Sequence, residues 1–509
     1  MESTWEIVSF PTSVRFSLES FYFNLFCSIV VNGSVAQEWA LNNRKYYGNV
    51  THRIYVVEMN IAAKSFLDIL VKYPNIELIT KTGTVIRESL EKNGTRIVQL
   101  TTRNDRRTWK ASVWIDASYD GDLVQFSNTS YTWGRESQAQ YNESYAGVRP
   151  YQASANFLPD HTVNATWNNG SLLPYISSQE LGSIGSAYRL CITNITAKQA
   201  PFFKPKKYDP DNFVVLQRYI ESLIASGKYP YGMPFTALVD PREYSYHGCP
   251  QKNIFDLNGR FDSAFTTDSV NLNSGYVNGT DEDRRRIAQE TSDYVLGYLW
   301  YLLTSPDVPE YTRNDMKPFG LCKDQWPENQ HMTPELYIRE VLRLVNENVF
   351  TQHDIVSGQC RNDTIALGSW KYEIRAVIRV ANGTHAMNQG QMTADIEHVN
   401  GSQSGPTFEI PYTVILPKRD QVTNLLVPVC HAVSHVAYSA TRLEPTFMLL
   451  GGAAGYFAGY SVLHGYMDVQ AIDVREIQQL LTRDGIVLHY PRGHCEGSAR
   501  SPTNFWLRH

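Results

Sequence analysis

Several things are missing from this 509-residue chain, and each absence removes a class of protein. Its seven cysteines (Cys27, Cys191, Cys249, Cys322, Cys360, Cys430 and Cys495) include no Cys-x-x-Cys pair, which argues against zinc ribbons and thioredoxin-type redox sites. Lysine and arginine number 46 against 51 acidic residues, a net charge of −5, so no basic surplus exists to neutralise phosphates and nucleic acid is not an expected partner. No long apolar run is free of polar interruptions, so a stable membrane span is not expected. No Gly-x-Ser-x-Gly elbow occurs, which speaks against a Ser-His-Asp hydrolase. Glycine itself is absent before Gly33, and no Gly-x-Gly-x-x-Gly turn occurs anywhere. That turn, at a helix N-terminus, is how a dinucleotide-binding fold usually holds a pyrophosphate.

What is present is an ordinary globular composition, 42% hydrophobic and 19% charged, in a chain longer than one core normally supports. Two lobes are therefore expected. Arg106-Arg107 and Arg284 to Arg286 are flanked by acids and aromatics and read as solvated faces. Asn-x-Ser/Thr sequons stand at Asn32, Asn49, Asn93, Asn128, Asn142, Asn164, Asn169, Asn194, Asn278, Asn362, Asn382 and Asn400. Phe21 to Val31 has the length of a signal-peptide apolar core, and Ser34-Val35-Ala36 fits a small-x-small cleavage site. Glu2, Glu6 and Glu19 outnumber Arg15 where a positive segment should precede it, and a buried strand is the other reading of that run. Together these features suggest the secretory pathway or an extracellular location, where one or two disulfides of unassigned pairing would form.

The stretch from Asn424 to Tyr460 carries the densest signal. An apolar run, Leu425 to Val429, breaks at Cys430-His431, a polar turn-like stretch follows, and a helix opens after Pro445. That helix holds Gly451, Gly452, Gly455 and Gly459, each costing about 1 kcal/mol relative to alanine. Gly451, Gly455 and Gly459 share one face. Either another backbone packs closely there, or a flat ligand does. Elsewhere, helices are expected over Gly33 to Gly48, Asn60 to Tyr73, Asp211 to Ser226, Asp281 to Leu303 with a Thr280/Asp283 capping box, and Pro334 to Asn346 with Thr333 as N-cap. Strands are expected over Ile76 to Thr80, Arg96 to Thr101, Lys110 to Ile115, Phe408 to Ile415 and Leu425 to Val429. The strand ending at Ile115 runs straight into Asp116-Ala117-Ser118-Tyr119-Asp120-Gly121-Asp122. An apolar strand opening onto small and acidic residues is the pattern of an α/β sheet edge that binds ligands.

Two segments carry a family resemblance. Ser434, His435, Ala437, Tyr438, Arg442, Glu444 and Pro445, followed by the glycine-rich helix, resemble the C-terminal signature of FAD-dependent oxidoreductases, some of which are labelled "xanthan lyase". Asp116 to Leu123 is close to identical to that family's Asp-Ala-Thr-Tyr-Glu-Gly-Asp-Leu, and Lys252 to Ser263, Gly320 to Gln330 and Tyr337 to Asp354 resemble its insert domain. A last helix and strand over Asp473 to Val487 are implied only by this resemblance. The likeness runs from about Gly33 to about Val487. It implies an α/β FAD/NAD(P)-binding Rossmann-like fold with an incomplete N-terminal βαβ unit and an inserted α+β cap. The corresponding divisions are an atypical segment 1–32, FAD-binding parts 33–150 and 408–490, a Tyr/Asn/Pro-rich cap or substrate lobe 151–407, and a tail 491–509. It further implies FAD as cofactor, hydride transfer, and a small-molecule or carbohydrate substrate.

On that resemblance His435 and Arg442 are the expected catalytic residues, the histidine for proton transfer and the arginine to stabilise a reduced flavin. Asp116, Ser118, Gly121, Asp122, Ser434, Gly451, Gly452, Ala453, Ala454 and Gly455 are the expected cofactor contacts. Each has a plainer alternative: Asp116 and Ser118 as a strand-end cap, Asp122 as a helix cap, His435 as an ordinary core or surface histidine. His431 and His435 stand at a zinc-chelating spacing but lack a third ligand, so no metal is expected. His247, Cys249, His353 and Asp354 are candidates for a substrate pocket. Since the family opens on the glycine turn this chain lacks, two explanations stand: an incomplete or mis-spliced product, or a degenerate member with a weakened hold on FAD. A non-catalytic secreted glycoprotein keeping the fold remnant is the alternative function, and a polysaccharide lyase a more distant one.

Overall fold

The computed structural model of the chain describes residues 33–489, apart from short stretches of which 149–162, 177–184 and 397–406 are the longest. The run Phe21 to Val31, the sequons at Asn32, Asn49 and Asn400, Cys27, Cys495 and the tail from Pro491 lie outside the described residues.

Helix α1 (Val35–Asn42) starts where the Ser34 hydroxyl accepts from Gln37 N, a side-chain N-cap. It packs against α2 (Met59–Leu70), with Trp39 Nε1 donating to Ala62 O at 3.1 Å and the Trp39 and Phe66 rings 5.9 Å apart. Strand β1 (Trp114–Ile115) leads into the short helix α3 (Asp122–Phe126). The middle of the chain builds a five-stranded antiparallel sheet from β2 (Leu190–Thr193), β3 (Gln199–Ala200), β4 (Val239–Glu243), β5 (Ile254–Gly259) and β6 (Gly320–Cys322), in the order β3-β6-β2-β5-β4. A disulfide, Cys191–Cys322, ties the neighbouring strands β2 and β6. Around it lie α4 (Val214–Ala225) and the 24-residue α5 (Asp281–Thr304), whose Thr280/Asp283 capping box is formed as its sequence predicts. Strand β7 (Tyr372–Ile374) pairs antiparallel with β8 (Met392–Ala394). The chain then returns through β9 (Leu425–Leu426) to α6 (His435–Thr441), α7 (Glu444–His464) and α8 (Val474–Arg483).

β9 pairs with β1 in parallel, the only parallel ladder among the described residues. Asn424 locks its entrance: Oδ1 accepts from Ile97 N, and Nδ2 donates to Ile97 O, both at 2.9 Å. No wide parallel sheet surrounds this pair among the described residues. Helix α7 is long and apolar enough to cross a membrane by length and composition, although 44% of its most apolar stretch is buried inside the fold.

Five local expectations differ from the structure. Pro334 to Asn346 is not a helix; it runs through the interior, Tyr337 exchanging backbone bonds with Ala187 (2.8 and 3.1 Å) and Leu344 N donating to Cys430 O (2.9 Å). Leu336 to Glu340 and Leu342 to Leu344 are all buried, and an isolated amphipathic helix would leave one side of that stretch in water. Ile76 to Thr80 forms no strand, Lys110 to Ile115 contributes only Trp114–Ile115, and no strand follows α8 among the described residues. The polar stretch after His431, expected as a turn, contains α6, because Ser434 supplies an N-cap.

Candidate functional site

The two segments that resemble one family meet. Asp116 ends β1 buried, and its carboxylate accepts from Ser118 Oγ (2.6 Å), Ser118 N (3.1 Å) and Leu123 N (2.9 Å). Ser118 Oγ in turn accepts from Gly121 N at 3.0 Å. Gly121 has φ +65°, and a Cβ on it would lie 2.8 Å from the Leu342 side chain, so glycine is required twice over. Asp122 accepts from Arg284 of α5 at 2.7 Å. Burial raises Asp122 to about 6; Arg284 opposes that and Asp120 adds to it. Cys430, just past β9, points its thiol at the carbonyls of Ser118 (3.5 Å) and Tyr119 (3.7 Å), and burial pushes that thiol up. The Tyr119 hydroxyl donates to Glu444 Oε1 at 3.4 Å.

Beyond Cys430 the buried groups form a hydrogen-bonded network, in which Glu143 Oε2 has no partner among the described residues. The Ser434 hydroxyl accepts from Ala437 N (3.0 Å) and donates to Glu143 (2.5 Å). His435 Nδ1 meets Glu340 Oε1 at 2.6 Å, and its backbone N–H donates to Glu136 at 2.9 Å. Arg343, fully buried, bridges Glu136 and Glu340. His431 contacts Val429 O (2.8 Å) and Thr441 Oγ1 (2.9 Å); burial holds it neutral, with its pKa down at about 4. Among the described residues no group of three or more His, Cys, Asp or Glu could hold a metal.

The expected site residues thus divide. Asp116 and Ser118 close the strand end, as their plainer reading had it. Asp122, read as a helix cap, instead pairs with Arg284 while Gly121 is the N-cap of α3, and Ser434 is the N-cap of α6. Ala453 and Ala454, expected on the cofactor side, are buried in the core instead, because α7 turns that face inward. Gly451, Gly452 and Gly455 lie on the outer side of α7, where an added Cβ would meet nothing within 4 Å among the described residues. The close backbone packing that would explain them is therefore not present there. His353 is exposed with Nε2 3.0 Å from Asn142 O, while Asp354 completes a capping box with Thr351; neither lines the cavity at Arg442 described below. Cys249 is buried beside Glu58, its thiol pushed up to about 12 by burial, and the side chain of His247 lies outside the described residues.

Arg442 alone among the expected catalytic pair borders a cavity, of about 160 Å³, between the middle region and the start of α7. Residues from the middle region supply nearly all the rest of its wall, including Arg189, Arg339, Trp370, Glu373 and Arg375. Arg189 forms a double ion pair with Asp256. Arg339 reaches Asp268 (2.8 Å), Asn258 Oδ1 (3.2 Å) and Gly185 O (2.9 Å). Arg442 donates to Tyr337 OH and Glu373 O, both at 3.3 Å, and its Nε has no partner among the described residues. Burial alone would raise Glu373, but Arg375 and Arg442 beside it hold it down at about 2. Glu444 is raised to about 7, mainly by burial, and its Oε2 is unpartnered. Sequence reading missed this cluster because its members are scattered from Arg189 to Arg442; the one available signal was the pair Arg375 and Arg379 within the apolar run Ile374 to Val380. A more open cavity of about 430 Å³, lined by Arg96, Lys110 and Met467 among others, contains none of the expected residues.

Among known families, the model of one described as FAD dependent oxidoreductase matches residues 18–481. No curated protein and no solved structure matches the chain.

Proposed function

This chain belongs to the family of FAD-dependent oxidoreductases, with FAD as cofactor, and we propose that within it the chain serves hydride transfer between flavin and a small hydroxylated molecule or carbohydrate. FAD supplies the redox chemistry when bound, and the protein positions the substrate. The observation that carries the reading is the junction at the start of α7. There Arg442, from the family-like C-terminal segment, closes a polar cavity walled by the region expected as a substrate lobe. The bare outer face of α7 is compatible with a flat group lying against it.

The described residues do not fit the whole of FAD. The sequence has no Gly-x-Gly-x-x-Gly turn, the polar groups expected near the cofactor are committed inside the fold, and the cavity at Arg442 is well below the roughly 300–1,000 Å³ of ordinary ligand pockets. We therefore read the chain as impaired in holding flavin, and derive no reaction step through it. The same facts favour the second reading, a secreted glycoprotein that keeps the fold without the catalysis. The sequons Asn93, Asn128, Asn142, Asn169, Asn194, Asn278 and Asn362 are all exposed, as glycosylation requires, and Cys360 is disulfide-bonded as well as the Cys191–Cys322 pair.

A visible absorption spectrum of the purified protein, before and after incubation with FAD and gel filtration, tests the first reading. Retained yellow absorbance supports it, and a protein that stays colourless sinks it in favour of the second. A mass loss on treatment with an N-glycan-removing enzyme tests the secretory assignment.

A further inference from the structure

We propose that the cavity closed by Arg442 is a binding site for a small hydroxy-carboxylate, whose acid group lies against Arg442 and Arg339 with Lys371 at the rim. The charge balance carries it. Six cationic side chains line the cavity, Arg189, Arg242, Arg339, Lys371, Arg375 and Arg442, whereas the one carboxylate lining it is Glu373. From behind the wall Asp256, Asp240 and Asp268 pair with Arg189, Arg242 and Arg339, and Glu444 faces Arg442 and Arg189, so the acids number five against six cations. Lys371 forms no ion pair among the described residues, and Arg442 shares Glu373 with Arg375. The wall therefore keeps positive charge beyond what its acids offset, in a place where water is scarce and an anion is worth most.

Two donors lining the cavity have no acceptor among the described residues. Arg442 is buried and its Nε is unpartnered, and so is Trp370 Nε1. An unsatisfied buried N–H is costly, and a ligand oxygen removes that cost. Guanidinium groups match a planar carboxylate with two parallel hydrogen bonds. Arg339 is held below the ordinary guanidinium range, first by burial and further by Arg375 and Arg442 nearby, which an added negative charge would relieve. Tyr337 and Asn258 in the same wall provide neutral polar partners for a hydroxyl. The volume is close to that of an engineered cavity of roughly 150 Å³ that accommodates benzene, so the ligand is a small acid and not a dinucleotide. Only the assignment of this acid as substrate rests on the oxidoreductase reading; its binding does not.

The test is calorimetric titration of the whole chain with glycolate, glycerate and tartrate, each beside its neutral counterpart ethylene glycol, glycerol and threitol. At least one acid is expected to bind roughly tenfold or more tightly than its polyol. Arg442→Gln should weaken that acid by roughly tenfold or more, and Trp370→Phe and Lys371→Gln by less, the last with a reduced dependence on salt. Should Arg442→Gln fail to fold, the two rim variants decide. Equal or absent binding of acids and polyols overturns the proposal, and so does inorganic pyrophosphate binding in preference to every acid, which would assign the cavity to phosphate. Acid binding by a protein that takes up no flavin leaves this site standing while removing the oxidoreductase reading; flavin uptake without acid binding does the reverse.

Discussion

Two buried charged regions lie on either side of α6 and differ in how they are balanced. In the network around Arg343, Glu136 and Glu340 flank the guanidinium, His435 caps Glu340, and Ser434 and Gln352 N satisfy Glu143 Oε1, leaving Glu143 Oε2 without a partner among the described residues. In the cavity beside Arg442, cations exceed carboxylates, and two N–H groups lack acceptors. The first arrangement is what a fold needs to bury charge at all. The second is what a fold keeps when something from outside completes it. His435, which the family signature made the more conspicuous residue, sits in the balanced region; Arg442 sits in the unbalanced one.

The sharpest way to break this comparison is to remove one charge from each side. Arg343→Met leaves Glu136 and Glu340 buried and unpaired, and should lower stability by about 3–5 kcal/mol in chemical denaturation, whereas Lys371→Gln should change it by less than about 0.5 kcal/mol. Equal effects would dissolve the distinction.

Next in size is a pH effect. Glu444 is raised from 4.5 to about 7 in the folded state, so the folded protein favours the protonated form. Its contribution is full below 4.5 and is lost as pH rises to about 7, on the order of 3 kcal/mol. Glu444→Gln should flatten that part of the stability profile. His431 works in the other direction: its folded pKa is lowered from 6.5 to about 4, so its contribution is present above 6.5 and is lost as pH falls toward 4. His431→Gln should flatten the acid side. A wild-type profile that falls in neither window contradicts both assignments.

Smaller again is Asp116→Asn, which weakens three hydrogen bonds at the end of β1 and should cost about 1–3 kcal/mol. A loss of flavin uptake with stability unchanged would instead make Asp116 a cofactor contact. The smallest effect is expected at α7. Gly452→Ala and Gly455→Ala should each stabilise by about 0.5–1 kcal/mol, since nothing among the described residues occupies the space of the added methyl. If either variant also takes up less FAD than the parent chain, the bare face is where a flat group lies.

Much of the local structure was legible in the residue pattern. Thr280 with Asp283 announced the start of α5, and apolar residues at helical spacing announced α2 and α4. The apolar run into Asp116 marked a strand end, although only Trp114–Ile115 of it is paired. Pro334 to Asn346 was not legible, because its helical spacing was outweighed by partners distant in sequence: Ala187, Cys430 and the acids that receive Arg339 and Arg343. At the candidate site, Arg442 was found through its motif. The arginines that share its cavity were not, since an arginine bound for the interior leaves no periodic mark.

The sequence by itself determined the family, through two short motifs, and the absence of a glycine turn, because both depend only on residue identity and order. It determined the capped helices for the same reason, their signals being a few residues long. Only the tertiary structure decided which polar groups were already spent. Whether Asp116 is a cap or a ligand, or Arg442 paired or waiting, depends on partners tens to hundreds of residues away, and hydrogen-bond satisfaction is a property of three-dimensional neighbours that no local pattern records.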